Sequence, residues 1–199
     1  MDAMDRTFTA LLIRELGPGA GFRRPTQVLA ARVTPGSAAL EVMTDLTRAS
    51  PATIRAQAPI EAANLFMMAR AVRLLLVADD REAVLGVITA TDILGEKPLR
   101  VSVERGLKRS ELTVGDIMTP AEHVEVLSLA DVEGARVGHI VETLKRAGRQ
   151  HALVVDTEGG RSMVRGIFSV SQIARQLGLP LQTSEVARTF AEIEAALGH

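Results

Sequence analysis

Two seven-residue stretches carry side chains that could bind a ligand, GVITATD at 86–92 and GIFSVSQ at 166–172. In each stretch the glycine leaves room for a ligand beside the backbone, and the hydroxyl of Thr89 or Ser169 can donate to an anion such as a phosphate. Asp92 ends the first stretch with a carboxylate, which can accept hydrogen bonds from two neighbouring hydroxyl groups. Gln172 ends the second stretch without a charge. The pattern therefore predicts two related polar turns of unequal binding strength.

The same residues also have a purely structural interpretation, because both stretches fit a helix capping box. In that motif the hydroxyl accepts a hydrogen bond from the backbone N–H three residues on, and the later side chain reaches back to the N–H of the hydroxyl residue. Ser-x-x-Gln fits this motif better than Thr-x-x-Asp does. From the residues alone, a cap is the favoured interpretation at both turns.

Composition argues against several other kinds of chemistry. There are no cysteines, so thiolate catalysis, thiolate metal sites and disulfides are excluded. The four histidines (123, 139, 151 and 199) have no metal-ligand spacing, and no nucleophile–base pair is recognisable, so we expect no metal and no enzyme. Basic and acidic residues balance at 23 to 24, and Trp and Tyr are absent, which disfavours nucleic-acid binding. No apolar run approaches a membrane span, and the first residues do not form a signal peptide, so a cytoplasmic protein is expected.

The elements that must position the two turns are repeated as well. Apolar runs at 75–77 and 153–155 predict buried strands, each ending at an aspartate and followed by a polar turn and the glycine-containing strand. Before each come a short extended piece, at 52–56 and 123–127, and an amphipathic helix. Copy two is five residues longer, and we expect the extra residues in the turn after Asp156 and in the loop before the helix. The predicted buried helix positions are Ile60, Ala63 and Met67 in copy one and Val137, Ile140, Val141 and Leu144 in copy two.

The predicted fold class is therefore α+β, with tandem β-α-β-β-α repeats related by a pseudo-twofold. The repeats are predicted at 39–97 and 113–180, joined by a connecting helix at 98–112. An N-terminal helix, arm and linker are predicted at 1–38. A C-terminal helix is predicted at 181–199, opened by Ser184 and carrying an apolar face of Val186, Phe190, Ile193 and Leu197.

These landmarks resemble a cystathionine β-synthase (CBS) domain pair of the stand-alone bacterial type. The resemblance rests on LTVGDIMTP before copy two, on VMTD at 42–45, on the apolar strands ending in Asp, and on the glycine–hydroxyl runs. GVITATD matches the family pattern in full, whereas GIFSVSQ departs from it at Gln172. Such pairs bind adenine nucleotides or S-adenosylmethionine between their repeats, associate into disc-like homodimers, regulate partner proteins and are not enzymes.

The resemblance implies a ligand site for AMP, ADP, ATP or S-adenosylmethionine at copy one, with no required cofactor. Asp92 would bind the ribose hydroxyls, Arg73 would reach a phosphate, and Thr53 and Ile54 would frame the adenine. Gly86, Val87, Thr89 and Thr91 would complete this site. A second site that is about tenfold weaker, or empty, would comprise His151, Gly166, Ser169 and Gln172.

Two functional hypotheses follow from this. In the first, the protein is a non-catalytic sensor of an adenosyl ligand that signals to a partner protein whose identity the sequence does not give. In the second, it is a ligand-free dimeric scaffold in which the two turns only cap helices. We expect neither nucleic acid nor a membrane among its partners.

Overall fold

The structure is a computed structural model, and it describes residues 32–179. The predicted N-terminal helix and the predicted C-terminal helix lie outside the described residues. None of the helices in the described part of the chain is long and apolar enough to span a bilayer. The elements in chain order are β1 (Thr44–Asp45), β2 (Thr53–Ile54), α1 (Ile60–Arg70), β3 (Leu74–Ala78), β4 (Val84–Thr89), α2 (Ala90–Leu94), α3 (Lys97–Arg105), α4 (Val114–Ile117), β5 (Thr119–Pro120), β6 (Val126–Ser128), α5 (Leu129–Glu133), α6 (Val137–Arg146), β7 (His151–Glu158), β8 (Arg161–Ser169) and α7 (Val170–Gln176).

The strands form two four-stranded sheets, one for each copy, with the orders β2-β3-β4-β5 and β6-β7-β8-β1. In each sheet the first pair is parallel, because helix α1 or α6 makes the crossover, and the next pair is an antiparallel hairpin. The hairpins share a bulge at the same place, between Val77 and Ala78 and between Val154 and Val155. The tandem α+β fold predicted from the sequence is confirmed.

Each sheet is completed by a two-residue strand from the start of the other copy. Strand β1, near the start of copy one, pairs with β8 of copy two through Thr44 opposite Ile167. Strand β5, near the start of copy two, pairs with β4 of copy one through Thr119 opposite Val87. The two copies have therefore exchanged their leading strands.

The hydrophobic cores follow the same exchange. The buried faces of α1 and α6 are those that the helical periodicity predicts. The copy-two core around Phe168 also takes in Val33, Ala39, Val42 and Met43, from the start of copy one and the segment before it. The copy-one core around Ile88 likewise takes in Val101, Leu112, Val114 and Ile117, from the connecting segment and the start of copy two. A third cluster joins the two sheets and consists of Leu74, Leu76, Val87 and Leu153.

An ion pair fastens β1 to its host sheet. Both terminal nitrogens of the Arg165 guanidinium group, Nη1 and Nη2, contact the carboxylate of Asp45, the second of them at 3.2 Å. The backbone N–H and the hydroxyl of Thr47 donate to the same carboxylate at 2.8 and 2.6 Å. The Thr47 hydrogen bonds, followed by Arg165, lower the pKa of Asp45 to about 2. Asp45 therefore stays ionised over the whole neutral range and holds the exchanged strand in register.

The extra residues of copy two do not lengthen loops as predicted. The hairpin of copy two continues to Glu158 opposite Arg161, because Gly159 and Gly160 both adopt positive φ, of 56° and 79°. Two such residues form a tight turn whose twist suits a hairpin, so the strands can extend. The segment before α6 likewise contains the short helix α5, packed on the core through Val132.

Candidate functional site

The polar corner of copy one lies where β4 turns into α2. The hydroxyl of Thr89 accepts from the backbone N–H of Asp92 at 3.2 Å. One carboxylate oxygen of Asp92, Oδ2, accepts from the N–H of Thr89 at 2.9 Å and from its hydroxyl at 2.6 Å. The predicted capping box is therefore present at this corner. It fixes the Asp92 carboxylate, whose side chain is 19% exposed, at the surface of the corner.

A lysine that the sequence analysis did not consider also contacts this corner. Lys97 begins α3, and its ammonium group lies 3.4 Å from Asp92 Oδ1 and 3.3 Å from the carbonyl oxygen of Met118. Its side chain is 29% exposed. Gly95 allows the tight connection between α2 and α3, since a Cβ at that position would lie 2.7 Å from the carbonyl oxygen of Thr91. That turn returns Lys97 to the carboxylate five residues earlier.

Gly86 lies against protein rather than against open space. A Cβ at Gly86 would lie 2.3 Å from the carbonyl oxygen of Thr119, on the exchanged strand β5. Real Cβ atoms do not approach backbone oxygens so closely, so only glycine permits β5 to pair here. We expected a ligand beside Gly86, but strand β5 occupies that space.

The corresponding corner of copy two, between β8 and α7, has different chemistry. Ser169 makes no capping hydrogen bond, and its hydroxyl lies 2.9 Å from the hydroxyl of Ser171. The capping box predicted for Ser169 and Gln172 is therefore absent. The amide oxygen of Gln172 instead accepts from the hydroxyl of Thr44 on β1, at 2.9 Å. The longer Gln side chain reaches the exchanged strand, and that tertiary contact replaces the local one.

Gly166 is also crowded, but by a side chain. A Cβ at Gly166 would lie 2.3 Å from the sulfur of Met43, a residue of the exchanged segment. Met43 is buried in the copy-two core. The second predicted site is thus filled from within, by a thioether above Gly166 and by Thr44 at Gln172.

Arg73 and His151 come from different copies and lie close enough to interact. Burial, and next the positive charge of Arg73, lower the pKa of His151 to about 4. His151 is therefore neutral at pH 7. By register His151 pairs with Ser169 just as Leu74 pairs with Thr89, so the histidine occupies the place that a leucine has in copy one. The structure thus groups a cation and a titratable ring at the junction of the copies.

The remaining predicted residues of the first site spread across the copy-one sheet. Thr53, opposite Leu76, is exposed on β2, and two strands separate β2 from β5 at the other edge of the sheet. Ile54 is half-buried against the copy-one core, and Val87 is buried between the sheets. Thr91 is exposed on α2. Of the predicted residues, Thr89 and Asp92 contact each other through their side chains. Lys97 contacts both Asp92 and Met118 at the same corner, and the sequence pattern indicated neither Lys97 nor Met118.

A cleft of about 260 Å³ lies elsewhere, at the far end of the copy-two hairpin. None of the predicted site residues lines it. Its walls are the hairpin and the residues that follow β1, namely Leu46, Thr47, Asp156, Thr157, Glu158, Met163, Val164 and Arg165. Because Arg165 is already paired with Asp45, the cleft offers no free cation from that residue.

Comparisons with known proteins show which fold this chain has. The family model described as "CBS domain" matches residues 39–98. A solved structure of the CBS domain pair of protein MJ0100 aligns with 72% of this chain and 98% of its own, at 20% identity and a TM-score of 0.50. This chain has the fold of a CBS domain pair. The resemblance inferred from the repeated motifs is confirmed.

Other solved structures share this fold. CBSX2, from Arabidopsis thaliana, aligns with 70% of this chain and 95% of its own, at 20% identity and a TM-score of 0.50. An uncharacterized conserved protein from Pyrococcus horikoshii aligns with 76% of this chain and 100% of its own, at 21% identity and a TM-score of 0.53. The MJ0100 pair was solved with 5′-methylthioadenosine and S-adenosyl-L-methionine, and CBSX2 with AMP. A search of the curated proteins finds no match.

Proposed function

We propose that this CBS pair is a non-catalytic regulatory module that binds an adenosyl ligand at the corner of copy one. The observation that carries the proposal is the fixed carboxylate of Asp92. Its Oδ2 is held by two donors from Thr89, and among the described residues the partner of its Oδ1 is the ammonium group of Lys97. A carboxylate fixed in this way is suited to accept the two hydroxyl groups of a ribose. The ligands in the MJ0100 and CBSX2 complexes are all adenosyl compounds, which supports this choice.

The ligand class proposed first is AMP, ADP or ATP, with S-adenosylmethionine as the alternative. Arg73 carries a full positive charge beside the neutral His151. A phosphate near them would compensate the charge of Arg73, and a second cation, the sulfonium of S-adenosylmethionine, would not. The module would act on a partner protein by changing the relative placement of the copies. Such coupling requires that the ligand bind one arrangement more tightly than the other.

The test is thermal unfolding with AMP, ATP or S-adenosylmethionine at millimolar concentration. A ligand that binds only the folded state raises the melting temperature, and Asp92→Asn should abolish that rise while leaving the fold intact. Gln172→Glu is the matched variant in copy two, and we expect it to leave the rise unchanged. If none of the three compounds changes the melting temperature, the adenosyl proposal fails.

A ligand-free scaffold is the second candidate, and one observation favours it. Both corners are already filled from within, by Lys97 at Asp92 and by Thr44 at Gln172. Under this alternative the Asp92→Asn variant would change stability slightly and alter nothing else. Isothermal titration of the wild-type protein with AMP therefore distinguishes the two candidates.

We also propose that the protein is a homodimer that associates through α1, α2 and the connecting helix α3. These helices expose large apolar side chains, whereas α6 and α7 of copy two expose none. Exposed apolar patches of this kind are typical of protein–protein contacts. Sedimentation of Val103→Glu, compared with the wild type, tests the proposed face, and a dimer that survives the substitution would contradict it. The exposed side chains are Leu65, Met68, Leu94, Leu99 and Val103, with exposed fractions between 62% and 76%.

A further inference from the structure

Lys97 links three elements at a single point. It is the first residue of α3, it contacts the Asp92 carboxylate on α2, and it donates to the carbonyl oxygen of Met118. Met118 immediately precedes β5, the strand that the copies exchange. One ammonium group therefore connects the proposed ligand corner to the connecting helix and to the exchanged strand.

The hydrogen-bonding capacity of Asp92 limits what else can bind there. A carboxylate offers about four acceptor positions. Two are used by the N–H and hydroxyl of Thr89, and a third by Lys97. One position is left, whereas the paired hydroxyls of a ribose supply two donors. A ribose can therefore bind Asp92 through both hydroxyls only after Lys97 has moved away.

The contacts of Lys97 are weak enough to be displaced. Both distances, 3.4 and 3.3 Å, are long for hydrogen bonds, and the side chain is 29% exposed. Partly exposed ion pairs contribute little stability. Lys97 can therefore leave Asp92 at low cost, and its departure would also release the Met118 carbonyl.

Copy two has no counterpart of this arrangement. The same offset that relates Asp92 to Gln172 relates Lys97 to Leu177, which packs against the copy-two core. Gln172 itself is neutral and contacts Thr44. The lysine contact is therefore a feature of the one corner that keeps a carboxylate.

We propose that Lys97 is a latch that competes with the ribose of the ligand for Asp92. This inference rests on the proposed adenosyl function and adds to it the residue that sets affinity and transmits binding. When the ligand takes Asp92, Lys97 releases Met118, and the start of α3 and strand β5 loosen together. The change would reach α3, whose exposed Leu99 and Val103 belong to the homodimer face proposed above.

Calorimetry with adenosine tests the competition, because adenosine has the ribose but no phosphate. Lys97→Met should bind adenosine about two- to five-fold more tightly than the wild type. Lys97→Arg keeps the cation and should stay near the wild type. Lys108→Met removes one exposed positive charge elsewhere and should have no effect. Equal or weaker binding by Lys97→Met would overturn the latch.

AMP and hydrogen exchange separate the remaining outcomes. Loss of AMP affinity in Lys97→Met, with adenosine unchanged, would make Lys97 a phosphate ligand and reject the latch. Without any ligand, Lys97→Met should already exchange amide hydrogens faster at 97–105 and 117–120, whereas unchanged exchange would reject the link to Met118. If this faster exchange is seen but neither protein binds adenosine, AMP or S-adenosylmethionine, the proposed function fails and only the structural link stands.

Discussion

The corners at Thr89 and Ser169 both lead from a strand directly into a helix, and they differ in the side chains that close them. In copy one, Asp92 is held by Thr89 and closed by the cation of Lys97. In copy two, Gln172 is closed by the neutral hydroxyl of Thr44. The shared glycine and hydroxyl are thus compatible with either chemistry. The last residue and its tertiary partner decide whether the corner keeps a charge that a ligand can use.

The glycines allow the most forceful test of this comparison. Gly86→Ala places a methyl group against the Thr119 backbone, which can move only if β5 moves, whereas Gly166→Ala meets the flexible side chain of Met43. We expect Gly86→Ala to lower the free energy of unfolding by about 3 kcal/mol and Gly166→Ala by about 1 kcal/mol. Urea unfolding measures both. Equal losses would show that the corners are closed in equivalent ways.

The histidine that replaces a leucine in copy two predicts a pH dependence. The pKa of His151 is about 4 in the folded protein and 6.5 when unfolded, so between these values the unfolded chain binds more protons. Stability should therefore be complete above pH 6.5 and fall as the pH drops towards 4, by no more than about 3 kcal/mol. Unfolding of the wild type and of His151→Leu across this range measures the effect. A pH profile that His151→Leu leaves unchanged would contradict it.

The capping bonds predict a smaller difference between the corners. Thr89→Ala removes a hydroxyl that both accepts and donates, and should cost about 1 kcal/mol. Ser169→Ala removes a hydroxyl that caps nothing, and should cost less than about 0.5 kcal/mol. Denaturation midpoints of the two variants provide the measurement. A larger loss for Ser169→Ala would reverse the assignment of the cap.

The smallest expected effect concerns the contact that closes copy two. Thr44→Val removes the hydroxyl donor of Gln172 and should cost about 0.5–1 kcal/mol. Thr119→Val is the matched change on the other exchanged strand, and we expect a smaller loss because no side-chain hydrogen bond of Thr119 is found among the described residues. Thermal unfolding compares the two. Similar losses would mean that Gln172 gains nothing from Thr44.

The local sequence pattern correctly predicted which faces of the helices and strands are buried. The helical stripe through Val137, Ile140 and Leu144 and the apolar strand at 75–77 are buried as expected, because periodicity reports which side meets a core. The exchanged strands were not predicted. Two residues carry too little periodicity, and their partners lie more than 30 residues away in sequence.

The corners show why the candidate site was only partly predictable. The sequence identified Thr89 and Asp92, since their hydrogen bonds are local. It favoured a cap at Ser169 that the structure lacks, because Gln172 finds Thr44, 128 residues away. Lys97 was missed because only the turn at Gly95 brings it back to Asp92. At Ser169 a tertiary contact outweighed a correct local rule, whereas at Lys97 the shape of a short turn was not foreseen.

The exchange of leading strands has a consequence for how the chain is made. Copy one is complete only when residue 120 has been synthesised, well beyond its own last strand. The segment from Val33 to Asp45 must wait for β8 and α7, more than 100 residues later, before its side of the core exists. Contacts of such long sequence separation form slowly. The first residues of this domain to leave the ribosome are therefore among the last to find their place.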